Sequence, residues 1–174
     1  MNPWHDIKVE SETLLPAVIE IPSGAKEKFE LDKETGLIIV DRVLYGSVHY
    51  PANYGFIPRT YCEDGDPLDI LVLGQARVFP RCIMRAIPIG CMRMLDQGKL
   101  DDKIIAVHAD DPAYNHYSDI SELPPHLSRE VKNFFEIYKQ LEDKVVEVRE
   151  FKNKSEALAV IRQAFEDYKT FVSK

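Results

Sequence analysis

The chain lacks most of the features that mark the large structural and functional classes. Its three cysteines, Cys62, Cys82 and Cys91, are odd in number and have no C-x-x-C spacing, so neither a disulfide framework nor a cysteine zinc site is expected. That usage fits a reducing compartment, and the expected location is the cytoplasm. Apolar runs such as Ile104 to Val107 fall far short of the roughly 20 residues that a membrane span needs. Met1 to Glu10 carries Asp6 and Glu10 and no apolar stretch of the signal-peptide kind. Positive charge is also in deficit: 22 Lys and Arg face 29 Asp and Glu, a net charge of −7, which argues against binding along a nucleic-acid backbone. No G-x-S-x-G, G-x-x-x-x-G-K-[ST] or G-x-G-x-x-G occurs, so the hydrolase-elbow, Walker and Rossmann readings have no support. His5, His49, His108, His116 and His126 form no H-E-x-x-H or other ligand spacing and read as surface or satisfied structural residues.

What remains is a globular composition, 45% hydrophobic and 29% charged, without repeats or low-complexity tracts. A length of 174 residues predicts one domain spanning 1–174, large enough to fold without staples. Strand patterns fill the first two thirds: Leu15 to Ile21, Lys28 to Leu31, Leu37 to Val40, Ile70 to Leu73, Ile83 to Leu95 and Ile104 to Val107. Asp32 to Gly36 reads as the turn of a hairpin. The last third changes period. Leu127, Val131, Phe134, Phe135, Tyr138 and Leu141 predict an amphipathic helix behind Pro124-Pro125. A strand, Val145 to Phe151, then precedes a helix capped by Ser155 with Leu158, Ile161, Phe165, Tyr168 and Val172 on its apolar stripe. The expected fold is α+β, with helices packed against a closed or nearly closed barrel.

Charge is concentrated in a few places. Asp64-Gly65-Asp66-Pro67-Leu68-Asp69 packs three carboxylates into a turn anchored by the apolar Ile70-Leu71-Val72-Leu73. Such a cluster is either a solvated acidic turn or a site for a hard cation, because like charges this close repel unless cations separate them. An EF-hand reading fails on Leu68, Asp69 and Gln75, which stand where an oxygen ligand, Gly and Glu are needed. Asp96 and Asp101-Asp102-Lys103 form a second acidic cluster, read here as a connection between apolar strands, and two such clusters favour metals over surface loops. Oxygen-only ligands point to Mg²⁺, Mn²⁺ or Ca²⁺ rather than zinc. Glu20 interrupts an apolar stretch, either as a site residue or on the solvent face of an edge strand. In Lys28 to Asp32, Lys28, Glu30 and Asp32 share one face and Phe29 and Leu31 the other. His49 to Pro58, dense in Pro, Gly and Tyr, is not expected to form a regular central strand.

Asp64 to Ile70 resembles the signature of the soluble family I inorganic pyrophosphatases. The resemblance extends in order through Glu20-Ile21-Pro22, Lys28-Phe29-Glu30, Val40-Asp41-Arg42, Tyr50 to Gly55, Asp96 with Asp101 and Lys103, and Tyr138-Lys139. It spans roughly residues 14 to 151. It implies a five-stranded OB-like barrel with flanking helices, and an Mg²⁺-dependent enzyme, with Mn²⁺ a possible substitute, that hydrolyses inorganic diphosphate to two phosphates by direct attack of a metal-activated water, without a covalent intermediate. By the same resemblance, Asp64, Asp69 and Asp101 hold the first metal, with Asp69 shared between two ions, and Asp96 and Asp101 hold a further one. Glu20 and Glu30 act on metal-bound waters, and Asp66 is the general base. Lys28, Arg42, Lys103 and Lys139, with the hydroxyls of Tyr54 and Tyr138, bind diphosphate, and Tyr50 stands behind them. Family members are usually homohexamers in bacteria, so self-association is expected, with no nucleic-acid or membrane partner.

One departure stands out. Members often carry Glu between Asp96 and Asp101, where this chain has Lys99, expected to point to solvent. Two rivals are a non-catalytic OB-type module for phosphates or oligonucleotides, which predicts a basic groove, and a metal-dependent phosphatase acting on nucleotides or other phosphate esters.

Overall fold

The computed structural model describes residues 1–173. A short helix α1 (Pro3–Asp6) precedes eight strands: β1 (Leu15–Ile21), β2 (Glu27–Leu31), β3 (Ile38–Val43), β4 (Asn53–Phe56), β5 (Asp69–Leu73), β6 (Ile83–Asp96), β7 (Lys99–His108) and β8 (Val146–Asn153). Helix α2 (Pro125–Ile137) lies between β7 and β8, and α3 (Lys154–Val172) follows β8.

Strands β1, β4, β5, β7 and β6 pair in that order, and β6 pairs back onto β1, so five strands form a hydrogen-bonded ring. All of these ladders are antiparallel except β5–β7. The length of β6 makes the closure possible. Its first residues, Ile83 to Ala86, pair with β1, while Gly90 to Asp96 pair with β8 outside the ring. The hairpin β2–β3 forms a separate two-stranded sheet.

Ile70–Leu73 and Ile104–Val107 are buried on both faces of the ring, which is why they read as unbroken apolar runs. Ile70, Val72, Ile104 and Ala106 pack with Ala157, Ile161 and Ala164 of α3. Alternate residues Leu71, Leu73, Ile105 and Val107 pack in the cluster containing Val131, Phe134 and Phe135 of α2.

The structure corrects four local expectations. Within His49 to Pro58, Asn53–Phe56 is a strand paired on both sides; Gly55 permits it, since a Cβ there would lie 1.9 Å from the Val18 carbonyl oxygen. Asp101, Asp102 and Lys103 lie inside β7, not in a connection, because β6 and β7 turn on two left-handed residues, Gln97 (φ 51°) and Gly98 (φ 82°). The α3 cap is Asn153, which closes a reciprocal capping box with Glu156 and starts the helix before Ser155. Leu141 falls beyond α2 and is 65% exposed, and Val172 at the end of α3 is 55% exposed, so neither belongs to a core stripe.

Candidate active site

A cleft of about 360 Å³ opens between the β2–β3 hairpin, the acidic turn and the strand ends of the ring. Glu20, Lys28, Glu30, Tyr54, Asp64, Asp66, Asp69, Asp96, Asp101, Lys103, Tyr138 and Lys139 all line it, residues drawn from across most of the chain.

Each side chain has a local reason for its place. Glu20 leaves β1 next to β2, where its carboxylate accepts the Leu31 N–H at 2.7 Å. Burial pushes this carboxyl up to about 8, and repulsion from Asp69 and Glu30 adds to that, against the pull of the Leu31 hydrogen bond. It therefore lines the cleft from a strand paired on both sides, not from a solvent-facing edge. Two residues apart on β2, Lys28 and Glu30 are ion-paired, and Lys28 also lies 3.6 Å from Asp41.

The acidic turn is folded on itself. Asp66 N–H donates to Asp64 Oδ1 at 3.0 Å, Cys62 N–H donates to the Asp66 carbonyl at 2.8 Å, and Gly65 supplies a φ of 88°. Buried Leu68 anchors the turn to the core. Burial, with repulsion from Asp66 and Asp101, raises the Asp64 carboxyl above the ordinary range.

The second acidic cluster is built on strands. The parallel β5–β7 register places Asp69 beside Lys103, and the ammonium of Lys103 bridges Asp69 Oδ2 at 2.6 Å and Asp101 Oδ1 at 2.8 Å. Lys103 is 2% exposed and lies over the rings of Tyr54 and Phe135 at 5.6 and 5.7 Å. Strand alternation sends neighbouring Asp102 to the other face, where it accepts two hydrogen bonds from Arg93 at 3.0 and 2.8 Å. Asp96 ends β6 and is ion-paired to Lys139, while its other oxygen is buried without a hydrogen-bond partner. Burial raises the phenols of Tyr54 and Tyr138, which keeps both as O–H donors.

Two expected site residues do not line the cleft. Arg42 is turned to Asp41 and to Glu142, 2.9 Å from its Nε. Tyr50 is 2% exposed behind the wall, its ring 5.5 Å from Tyr54 and 4.7 Å from Phe134. Conversely, the cleft includes Lys33 and Trp4, which the sequence reading passed over. Lys33 stands in a turn-rich segment and Trp4 near the N-terminus, where nothing in the pattern marks chemistry.

Seven carboxylates and four lysines line the cleft, an excess of three negative charges when all are ionised. Among the described residues, no three His, Cys, Asp or Glu side chains already converge into a metal cage, because lysine ammoniums stand between the carboxylates. The donor set nevertheless suits a hard divalent ion. Its donors are carboxylate oxygens, they outnumber the local cations, and one buried oxygen of Asp96 has no partner.

Comparison with known proteins bears on the same region. A family model described as inorganic pyrophosphatase matches residues 17–169, running past the last recognised motif and through most of α3. Soluble inorganic pyrophosphatase 2 of Chlamydomonas reinhardtii is 56% identical over 169 residues, covering 96% of this chain and 88% of that protein. Soluble inorganic pyrophosphatase of Oryza sativa subsp. japonica is 54% identical over 173 residues, covering 98% of this chain and 81% of that one. Among solved structures, an inorganic pyrophosphatase from Helicobacter pylori superposes with a TM-score of 0.91 at 42% identity, covering 94% of this chain and 99% of that one. One from Thermus thermophilus gives 0.93 at 37% identity, covering 97% and 99%.

Proposed function

This chain belongs to the inorganic pyrophosphatase family and hydrolyses inorganic diphosphate, and we propose that it does so in the carboxylate- and lysine-lined cleft, as a single domain. The observation that carries this reading is the convergence of Glu20, Glu30, Asp64, Asp66, Asp69, Asp96 and Asp101 with Lys28, Lys103 and Lys139 on one cavity.

Diphosphate is a compact polyanion, and an acidic cleft accepts it only with cations beside it. Magnesium is the proposed ion: Asp64, Asp69 and Asp101 would hold one, with Asp69 shared with a second, Asp96 and Asp101 would hold a further one, and Glu20 and Glu30 would act on metal-bound waters. When bound, such ions neutralise substrate charge and make water acidic enough to attack near neutral pH. Asp66, half exposed at the mouth, takes the proton of the attacking water. Lys28, Lys103 and Lys139 now hold carboxylates, and phosphate oxygens offer the same acceptor geometry, so these ammoniums pass to the substrate. Tyr54 and Tyr138 donate O–H bonds and Tyr50 supports them from behind; Arg42 reaches substrate by leaving Glu142. No side chain needs to be phosphorylated when water attacks phosphorus directly.

The non-catalytic binding module has no support, since its basic groove is replaced by a cleft in which acids outnumber lysines. The cytoplasm is the proposed location, and no described helix is long and apolar enough to cross a membrane. Self-association into a homohexamer is proposed as well; the exposed apolar side chains Leu37, Ile39, Val40, Val43 and Tyr45 on and around β3 support a contact between copies. Comparing phosphate release from diphosphate and from a nucleoside triphosphate under magnesium tests the substrate. Diphosphate should be turned over orders of magnitude faster, and a preference for the nucleotide would make the cleft that of a nucleotide phosphatase.

A further inference from the structure

We propose that Lys33 is a positioning residue that fixes the acidic turn, and with it Asp66, across the mouth of the cleft. The inference rests on the role of Asp66 given above. Lys33 lies in the turn of the β2–β3 hairpin, yet its side chain reaches the other wall of the cleft. Its ammonium is ion-paired with Asp66 and donates to the Gly65 carbonyl oxygen at 3.2 Å. It thus grips the acidic turn at two successive residues, one side chain and one main chain.

The opposite end of the contact is held just as specifically. Asn2 Nδ2 donates to the Lys33 carbonyl oxygen at 2.8 Å, and the Asn2 side chain also accepts the Trp4 N–H at 3.0 Å. The Lys33 ammonium lies 5.7 Å from the centroid of the Trp4 ring, which is 3% exposed and gives the flexible lysine an electron-rich floor. Trp4 Nε1 donates to the Thr60 carbonyl oxygen at 2.8 Å, and Thr60 Oγ1 accepts the Leu68 N–H, also at 2.8 Å. Leu68 belongs to the acidic turn. The turn is therefore tied twice to the N-terminal segment: at its tip through Lys33, and at its base through Thr60 and Trp4. Two ties fix an orientation where one would leave a hinge. At the tip sits Asp66, whose side chain is 51% exposed.

This account separates Lys33 from the other lysines of the cleft. Lys103 and Lys139 pair with proposed metal ligands, whereas Lys33 pairs with the proposed base and acts through it. Misplacing a base by a fraction of an ångström slows the chemical step without weakening ground-state binding.

The test compares steady-state diphosphate hydrolysis by the wild type, Lys33→Met, Lys33→Arg, Asp66→Asn and the double variant Lys33→Met/Asp66→Asn. Lys33→Met should lower kcat about tenfold with KM within about twofold. Lys33→Arg should restore most of the loss, and the double variant should be no slower than Asp66→Asn alone. Trp4 is the only tryptophan. Its fluorescence in the substrate-free protein should therefore change in Lys33→Met and return towards wild type in Lys33→Arg. A raised KM at unchanged kcat would make Lys33 a substrate contact and overturn the proposal. So would a double variant well below Asp66→Asn, or a wild-type kcat in Lys33→Met while Asp66→Asn is inactive. If Asp66→Asn itself turns over at the wild-type rate, the assignment of the base falls, and this proposal falls with it.

Discussion

The two acidic segments reach one cleft by opposite structural routes. Asp64 and Asp66 stand on an irregular turn held by its own backbone bonds and by Lys33. Asp69, Asp96 and Asp101 stand on strands of the ring, where ladder bonds fix their backbone and Lys103 and Lys139 face their carboxylates. The strand-borne group is a rigid, largely desolvated frame, and the turn-borne group sits at the mouth where solvent enters. That division suits Asp69, Asp96 and Asp101 as proposed ligands, which need preorganisation, and Asp66 as a proposed proton acceptor, which needs access to water; Asp64, the proposed ligand on the turn, is held by the hydrogen bond it accepts from the Asp66 N–H.

The sharpest way to break the comparison is at the mouth. Asp66→Asn keeps the shape and removes the proton acceptor, so kcat should fall about a thousandfold while magnesium affinity, read by isothermal titration calorimetry, stays close to wild type. Equal loss of metal affinity would move Asp66 into the rigid frame. In the frame itself, Lys103→Met leaves Asp69 and Asp101 facing each other without a counter-charge. It should destabilise the metal-free protein by about 3 kcal/mol in denaturant melts, with part of the loss recovered by magnesium. A loss that magnesium does not reduce would mean that no cation takes the place of the ammonium.

Smaller effects sharpen the contrast on a single strand. Asp102 is next to Asp101 but pairs with Arg93 on the other face, so Asp102→Asn should cost about 1 kcal/mol of stability and leave kcat within about twofold. Lys99 is exposed and does not line the cleft. Lys99→Glu should accordingly leave activity at saturating magnesium nearly unchanged; a large change would mean that the β6–β7 turn approaches the ions.

Much of this arrangement was legible in the residues. Leu15 to Ile21 announced β1 by composition, Asp32 to Gly36 announced the β2–β3 turn, and the ordered motifs around Asp64 to Ile70 carried the family, whose model spans residues 17–169. Twelve residues of the candidate site line one cleft. The rest was hidden for physical reasons. Asp101-Asp102-Lys103 looks like a polar loop because three consecutive charges oppose strand propensity; the β5–β7 and β6–β7 ladders and cross-strand ion pairs outweigh that preference. His49 to Pro58 looks too glycine- and proline-rich to hold a paired strand, and only the packed neighbour shows that Gly55 is there for close backbone approach. Lys33 carries no local signal, since its importance comes from partners 33 residues away in Asp66 and 32 in Gly65. The pairing of Arg42 with Glu142 is equally invisible, because Glu142 comes from a distant segment.

The most direct measurement is phosphate release from diphosphate by the purified protein with magnesium, then after chelation, then after magnesium is restored. The account predicts rapid release, its loss on chelation and its return with the ion. Release that persists without any divalent ion would contradict it, because a cleft in which carboxylates outnumber lysines would then be handling a polyanion unaided.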